Sequence, residues 1–283
     1  MVSRRRPRRR GLITLSLSAP QLSPPPVSPD PEITEIDIHL RRLSPAHDGL
    51  RIVHLTDIHH SLYTPLEDVE RAVKMTNHLQ PDLIALTGDY VTFSPTYIWP
   101  VAQVLGRLRA RLGVFAVLGN HDFQVDADEV ARALEAHDIH MLRNSHYAVH
   151  AGHSRLWLAG VDDLWWDADD LEAAVRHIPA RDPKVLLCHN PVGVRMAAEH
   201  HIDLVLSGHT HGGQVRLPVV GALYTRSKLG KRFIAGWNRL DGTQIYVSRG
   251  IGKVLLPVRV GCPPEIACLN LRSGTPHRPP QTP

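Results

Sequence analysis

Cysteine is nearly missing: there are three in 283 residues (Cys188, Cys262 and Cys268), with no C-x-x-C spacing. Three thiols so placed build neither a disulfide framework nor a structural zinc site. Long apolar runs are missing as well. No stretch reaches the ~18 residues that would span a bilayer, so the 43% hydrophobic content serves a globular core. A basic body is missing too. The formal charge of +4 comes from six arginines within the first ten residues (Arg4, Arg5, Arg6, Arg8, Arg9 and Arg10). Without them the 28 acidic side chains slightly outnumber the basic ones. That balance argues against a long cationic track for nucleic acid. No internal repeat is visible.

At this length one α/β domain with a large core is ordinary. Residues 1–31 read as something other than a fold: the arginine block, a short Leu/Ile/Ser/Thr run over Gly11–Ala19, then prolines at 20, 24, 25, 26, 29 and 31. This layout fits a disordered basic tail that meets anionic lipid, or a degenerate export signal of twin-arginine type. The first places the protein in the cytoplasm or at the cytoplasmic face of a membrane, the second outside it. The folded body is expected over 32–272, with a Pro-rich polar tail over 273–283.

Within the body, Ile33–Leu40 alternates as a first strand and Leu50–Thr56 as a second. Thr64, Pro65 and Glu67 read as N-cap, first helical residue and closing acid of a capping box. That helix carries a core stripe of Leu66, Val69, Val73 and Leu79. Leu83–Thr87 is a strand, Ile98–Ala110 a helix closed by Gly113, and Val114–Leu118 a strand. Asp126 and Glu129 start another helix that ends near His137. The β/α alternation predicts a largely parallel sheet with covering helices. Short β-like pieces follow over Met141–Val161, then a helix over Asp169–His177. Strands are expected at Val185–Leu187, Ile202–Leu206, Thr243–Val247 and Glu265–Leu271.

Nineteen histidines make any single one weak evidence. Position separates them. Asp57 and His59, Asp89, Asn120 and His121, His189, and His209 and His211 each follow a β-like run, where α/β folds place their sites. Several share a glycine that lets the chain turn sharply. A nitrogen and oxygen set without thiolate suits manganese, iron or zinc. Two divalent ions about 3.5–4 Å apart can clamp a phosphate and acidify a water, and ions that close need a shared carboxylate.

The ordered blocks Asp57-x-His59, Gly88-Asp89, Gly119-Asn120-His121-Asp122, His189 and Gly208-His209-x-His211 resemble the calcineurin-like metallophosphoesterases, over about residues 50–271. The resemblance implies a four-layer sandwich of two mixed β-sheets flanked by helices. It implies two divalent metal ions, one held by Asp57, His59 and His211, the other by Asn120, His189 and His209, with Asp89 shared. It also implies hydrolysis of a phosphodiester or pyrophosphate bond by metal-bound hydroxide. His121 then serves as general acid or electrostatic stabiliser of the leaving oxygen, and Asp122 could orient its ring.

Downstream, Ser207–Pro218, Tyr246–Gly252, Pro257–Arg259 and Pro264–Ile266 resemble the YkuE/YaeI branch, related to UDP-2,3-diacylglucosamine pyrophosphatase. The substrate expected is a phosphorylated small molecule or a lipid-linked nucleotide, with peripheral membrane contact possible and the oligomeric state left open. The alternatives are a broad-specificity envelope phosphodiesterase or phosphatase and a metal-free scaffold of the same fold.

Other residues read more blandly. His54 and His60 are bystanders, and Cys188 is a small buried hydrophobe. Trp165-Trp166 is either packing or an apolar lip for a lipid or base. Arg216, Arg249 and Arg259 could meet a phosphate, although a solvated or salt-bridged arginine is the commoner outcome.

Overall fold

The computed structural model describes residues 28–218, 221–222 and 229–275. The arginine block, the apolar run after it and the last eight residues lie outside the described part. In chain order the elements are β1 (Glu32–Leu40), β2 (Arg51–Leu55), α1 (Leu66–His78), β3 (Leu83–Thr87), α2 (Ile98–Leu105), β4 (Val114–Val117), α3 (Asn120–Val125) and α4 (Ala127–Glu135). They continue with β5 (Ile139–Met141), β6 (Ser145–Ala151), β7 (Ser154–Gly160), α5 (Leu171–Val175), β8 (Lys184–Leu187), α6 (Val194–Glu199) and β9 (Leu204–Ser207). The last strands are β10 (Arg216–Leu217), β11 (Gly221–Ala222), β12 (Gly236–Leu240), β13 (Thr243–Val247) and β14 (Glu265–Ser273). Among the described residues no helix is long and apolar enough to cross a membrane.

Two six-stranded sheets form, ordered β1-β14-β2-β3-β4-β5 and β12-β13-β9-β8-β7-β6, with β10 and β11 as a separate ribbon. Both are mixed. In the first, β2 to β5 run parallel while β14 is antiparallel to β2. In the second, β7, β8, β9 and β13 run parallel, and β6 and β12 close the two edges antiparallel.

Strand side chains alternate between faces, and here both faces are covered. Val53, Leu55, Ile84 and Leu86 pack under α1, α2 and α4. Ile52, Leu83, Phe115, Val185, Leu187, Leu204 and Leu206 fill the space between the sheets. Leu186, Val205, Ile245 and Val247 meet α5 and α6. Near-continuous Val/Ile/Leu strands follow from that double burial, and three apolar layers between four structural layers make the expected sandwich.

Three local expectations are corrected. Thr64 does not cap α1: its hydroxyl accepts the Lys253 N–H at 3.1 Å, and Pro65 stands at the N-cap without a side-chain bond. Helix α2 stops at Leu105 with Gly106 at its end, five residues before Ala110. Helix α3, unanticipated, begins on Asn120.

His54 faces the inter-sheet layer, where its Nε2 lies 2.8 Å from the Thr87 hydroxyl and its ring meets Tyr246 edge-on. Burial pushes its pKa down to about 4. The unfolded chain therefore takes up this proton first, near pH 6.5, and the folded chain only near 4. Stability is complete above the upper value and falls as pH drops through the window. A difference of that size is worth about 3 kcal/mol. Urea unfolding at pH 7.5 and pH 5 should show about 2 kcal/mol of that loss in the wild type and a much smaller one in His54→Gln. Equal losses in the two proteins would remove His54 as the cause.

Candidate metal centre

The parallel strands of both sheets end on the same side of the sandwich. Asp57 and His59 follow β2, Asp89 follows β3, Asn120 and His121 follow β4, His189 follows β8, and His209 and His211 follow β9. Five of these residues hold left-handed backbone: Asp57 (φ 50), His59 (φ 48), Asp89 (φ 57), His209 (φ 69) and His211 (φ 52). Non-glycine residues rarely stay there without compensation. The conformation ends β2, β3 and β9 abruptly. Two glycines admit the crowding that results. A Cβ on Gly208 would lie 2.2 Å from Asp57 Oδ2, and one on Gly88 2.4 Å from the Gly119 nitrogen.

Two nests of donor atoms meet at Asp89. In the first, His59 Nε2 and His211 Nε2 are 3.1 Å apart, and Asp57 Oδ1 is 3.2 Å from the latter. In the second, His209 Nδ1 lies 2.8 Å from Asn120 Oδ1 and 3.3 Å from His189 Nε2. Asp89 Oδ2 stands 3.3 Å from His59 Nε2 and 3.2 Å from His189 Nε2, so one carboxylate oxygen faces both nests.

The surroundings aim the donors. The Thr87 carbonyl accepts the Nδ1–H of His189 at 2.6 Å, which aims Nε2 at the centre. His59 Nδ1 contacts the Thr92 hydroxyl at 3.1 Å. Partners of this kind fix the tautomer of metal-binding histidines. The His209 backbone N–H donates to Asp57, and that of His121 donates to Asp89 Oδ1 at 2.8 Å.

Charge is concentrated. Burial raises the pKa of Asp57. Burial would likewise lower that of His189, but the Asp89 carboxylate overcomes it and drives the imidazole up to about 10. The same pairing holds Asp89 well below the usual carboxylate range against its own burial. A buried set of carboxylates, imidazole lone pairs and an amide oxygen, all within ligand reach, fits a divalent cation. Asp57 with His59 and His211, His59 with Asp89 and His121, and Asp57 with Asp89 and His189 each come close enough to hold one.

Asp122 is placed differently from the sequence expectation. Its carboxylate accepts the N–H groups of Gly119 (2.9 Å), Asp89 (2.8 Å) and Tyr90 (2.8 Å), which locks the β3 and β4 loops together. The Thr92 carbonyl, 3.2 Å from Nδ1, steadies the His121 ring instead. Consecutive helical residues do not face each other, and both lie in the first turn of α3. Burial, then the nearby Asp89 charge, pushes Asp122 up to about 7.

His60 hydrogen-bonds the Thr64 carbonyl, away from the nests. Cys188 is buried after β8, and burial pushes its thiol up. Arg249 pairs with Glu32 and Glu265 at 3.0 and 3.4 Å.

Three contributors were less legible. Thr92 steadies two histidines. Arg259, anchored on the Gly252 and Arg249 carbonyls, reaches within 3.3 Å of His211 Nδ1. Asp163 is buried after β7; one oxygen accepts the Trp165 N–H, and Oδ2 lacks a partner among the described residues. Burial pushes its pKa up to about 6. Val161-Asp162-Asp163 is the same strand-to-acid junction as the others, and that was its available signal.

A four-layer sandwich whose strand ends gather two His/Asp/Asn nests about one carboxylate defines a metallophosphoesterase. The calcineurin-like phosphoesterase family model matches residues 50–213, and the chain belongs to that family, in its YkuE/YaeI branch. The uncharacterized metallophosphoesterase YkuE of Bacillus subtilis is 34% identical over 246 residues, 86% of each chain. Phosphodiesterase YaeI of Escherichia coli is 33% identical over 228 residues, 78% of this chain and 82% of its own. TT1561 of Thermus thermophilus, at 15% identity, superposes with a TM-score of 0.50 over 72% of this chain and 90% of its own, a likeness of fold alone. The chain is accordingly a hydrolase acting on phosphoester bonds.

Proposed function

We propose that this chain hydrolyses a phosphodiester or pyrophosphate bond at a dinuclear centre. Asp57, His59 and His211 would hold one divalent cation, Asn120, His189 and His209 the other, and Asp89 both. The observation that carries this reading is the single Asp89 oxygen within 3.3 Å of His59 and 3.2 Å of His189. When bound, such a pair supplies Lewis acidity and an acidified water.

The chain's own residues then do the rest. Asn120 offers a neutral oxygen, which limits the negative charge an anionic substrate must approach. The Thr92 carbonyl on Nδ1 steadies the His121 ring, which can hand a proton to the leaving oxygen. Asp122 positions the Asp89 and Asn120 loops rather than the acid.

A diester is favoured by kinship with YaeI, which is named a phosphodiesterase. The narrower candidate, the pyrophosphate of UDP-2,3-diacylglucosamine in lipid A synthesis, rests on the sequence resemblance. The test is hydrolysis of bis-p-nitrophenyl phosphate and p-nitrophenyl phosphate with added manganese and with chelator. Metal-dependent turnover that favours the diester is expected. Absence of bound metal under every loading condition would overturn the reading in favour of a scaffold.

A further inference from the structure

Two aromatic rings stand in solvent at the centre, one on each side. Trp165, in the loop after β7, is 59% exposed, and its ring centroid lies 5.9 Å from that of His209 in the second nest. Phe93, in the loop after β3, is 56% exposed and sits edge-on to His121 at 6.3 Å. His121 in turn meets His59 of the first nest at 4.9 Å. Each ring therefore borders a different end of the donor set.

Neither loop is loosely attached. Asp163 Oδ1 accepts the Trp165 N–H at 2.9 Å, and the Trp166 indole donates to the Asn120 carbonyl at 3.1 Å. Thr92, the neighbour of Phe93, holds His59 through its hydroxyl and His121 through its carbonyl. Single exposed apolar residues are ordinary on a protein surface. Rings carried on loops that are tied to residues of the centre are pre-organised for something bound there.

Taking the phosphoesterase reading as given, we propose that Trp165 is a substituent subsite for a planar heteroaromatic group of nucleobase type carried on the substrate phosphate. Phe93 covers the leaving-group side beside His121. An exposed indole offers a flat face that any base can stack on, and such stacking is sequence-tolerant.

The test compares two diesters with the same leaving group on manganese-loaded full-length protein: thymidine 5′-(p-nitrophenyl) phosphate and methyl p-nitrophenyl phosphate. Trp165→Ala should raise KM for the nucleoside ester about tenfold, within the range for one stacked base. It should leave the methyl ester within twofold, and Trp165→Phe should restore most of the loss. A second readout needs no turnover: thymidine 5′-monophosphate should quench tryptophan fluorescence in the wild type and much less in Trp165→Phe.

Equal losses on both esters would make Trp165 a structural residue and overturn the proposal. No loss on either would overturn it as well. If the wild type turns over neither ester, the phosphoesterase reading fails by itself, and the quenching arm still decides whether Trp165 meets a base.

Discussion

Asp89→Asn should cut turnover by about a thousandfold and leave the purified protein short of bound metal. The substitution keeps size and shape but removes the one charge that faces both nests. Asp89 Oδ1 already accepts the His121 N–H at 2.8 Å, so the asparagine oxygen settles there. Its amide nitrogen then points at His59 Nε2 and His189 Nε2, now 3.3 and 3.2 Å from Oδ2. A donor replaces a ligand. The factor reflects the several kcal/mol that metal ions contribute to phosphoryl transfer. Metal analysis on the same sample, together with thermal unfolding in chelator, separates this from misfolding. The apo variant should melt cooperatively but below the apo wild type, because the buried volume is unchanged while the Asp89–His189 pair is lost. Wild-type turnover with normal metal content would contradict a shared Asp89.

The candidate site was largely legible because its residues announce themselves by position rather than by type. Nineteen histidines are uninformative as a composition. Those that follow apolar runs of strand length are a different matter, because strand ends are where an α/β fold exposes side chains without losing core. His54 shows the limit: it is as buried as any donor, yet it sits within β2 and faces the other sheet. The four-layer build followed from resemblance. Local pattern alone pointed to one parallel sheet, and it could not show β14 entering between β1 and β2, a pairing across most of the chain. Helix ends failed where a side chain had a better partner elsewhere, as Thr64 did with Lys253. Asp122 failed for a geometric reason. Adjacency in the sequence suggested contact with His121, but the first turn of α3 carries the two side chains apart and delivers the carboxylate to three backbone N–H groups.

His121→Gln should discriminate between leaving groups. A general acid matters in proportion to how badly the departing oxygen needs a proton. With a glycerophosphodiester, which expels an alkoxide, the variant should lose roughly 10²–10⁴-fold in kcat, the ordinary worth of a positioned acid. With bis-p-nitrophenyl phosphate the phenolate leaves unaided, and the loss should stay within about tenfold. Glutamine fits this test because it fills much of the ring's place with a neutral amide that cannot deliver a proton. The pH profile supplies the sign. An acid must be protonated to act, so wild-type turnover of the alkyl ester should fall as pH rises, and that limb should vanish in the variant. Equal losses on both esters with metal content unchanged would make His121 an electrostatic partner of the phosphoryl group instead. Unchanged rates on both would make it a structural residue of the β4 loop. The asymmetry between esters is the informative quantity, since a collapsed metal centre would lower both rates together.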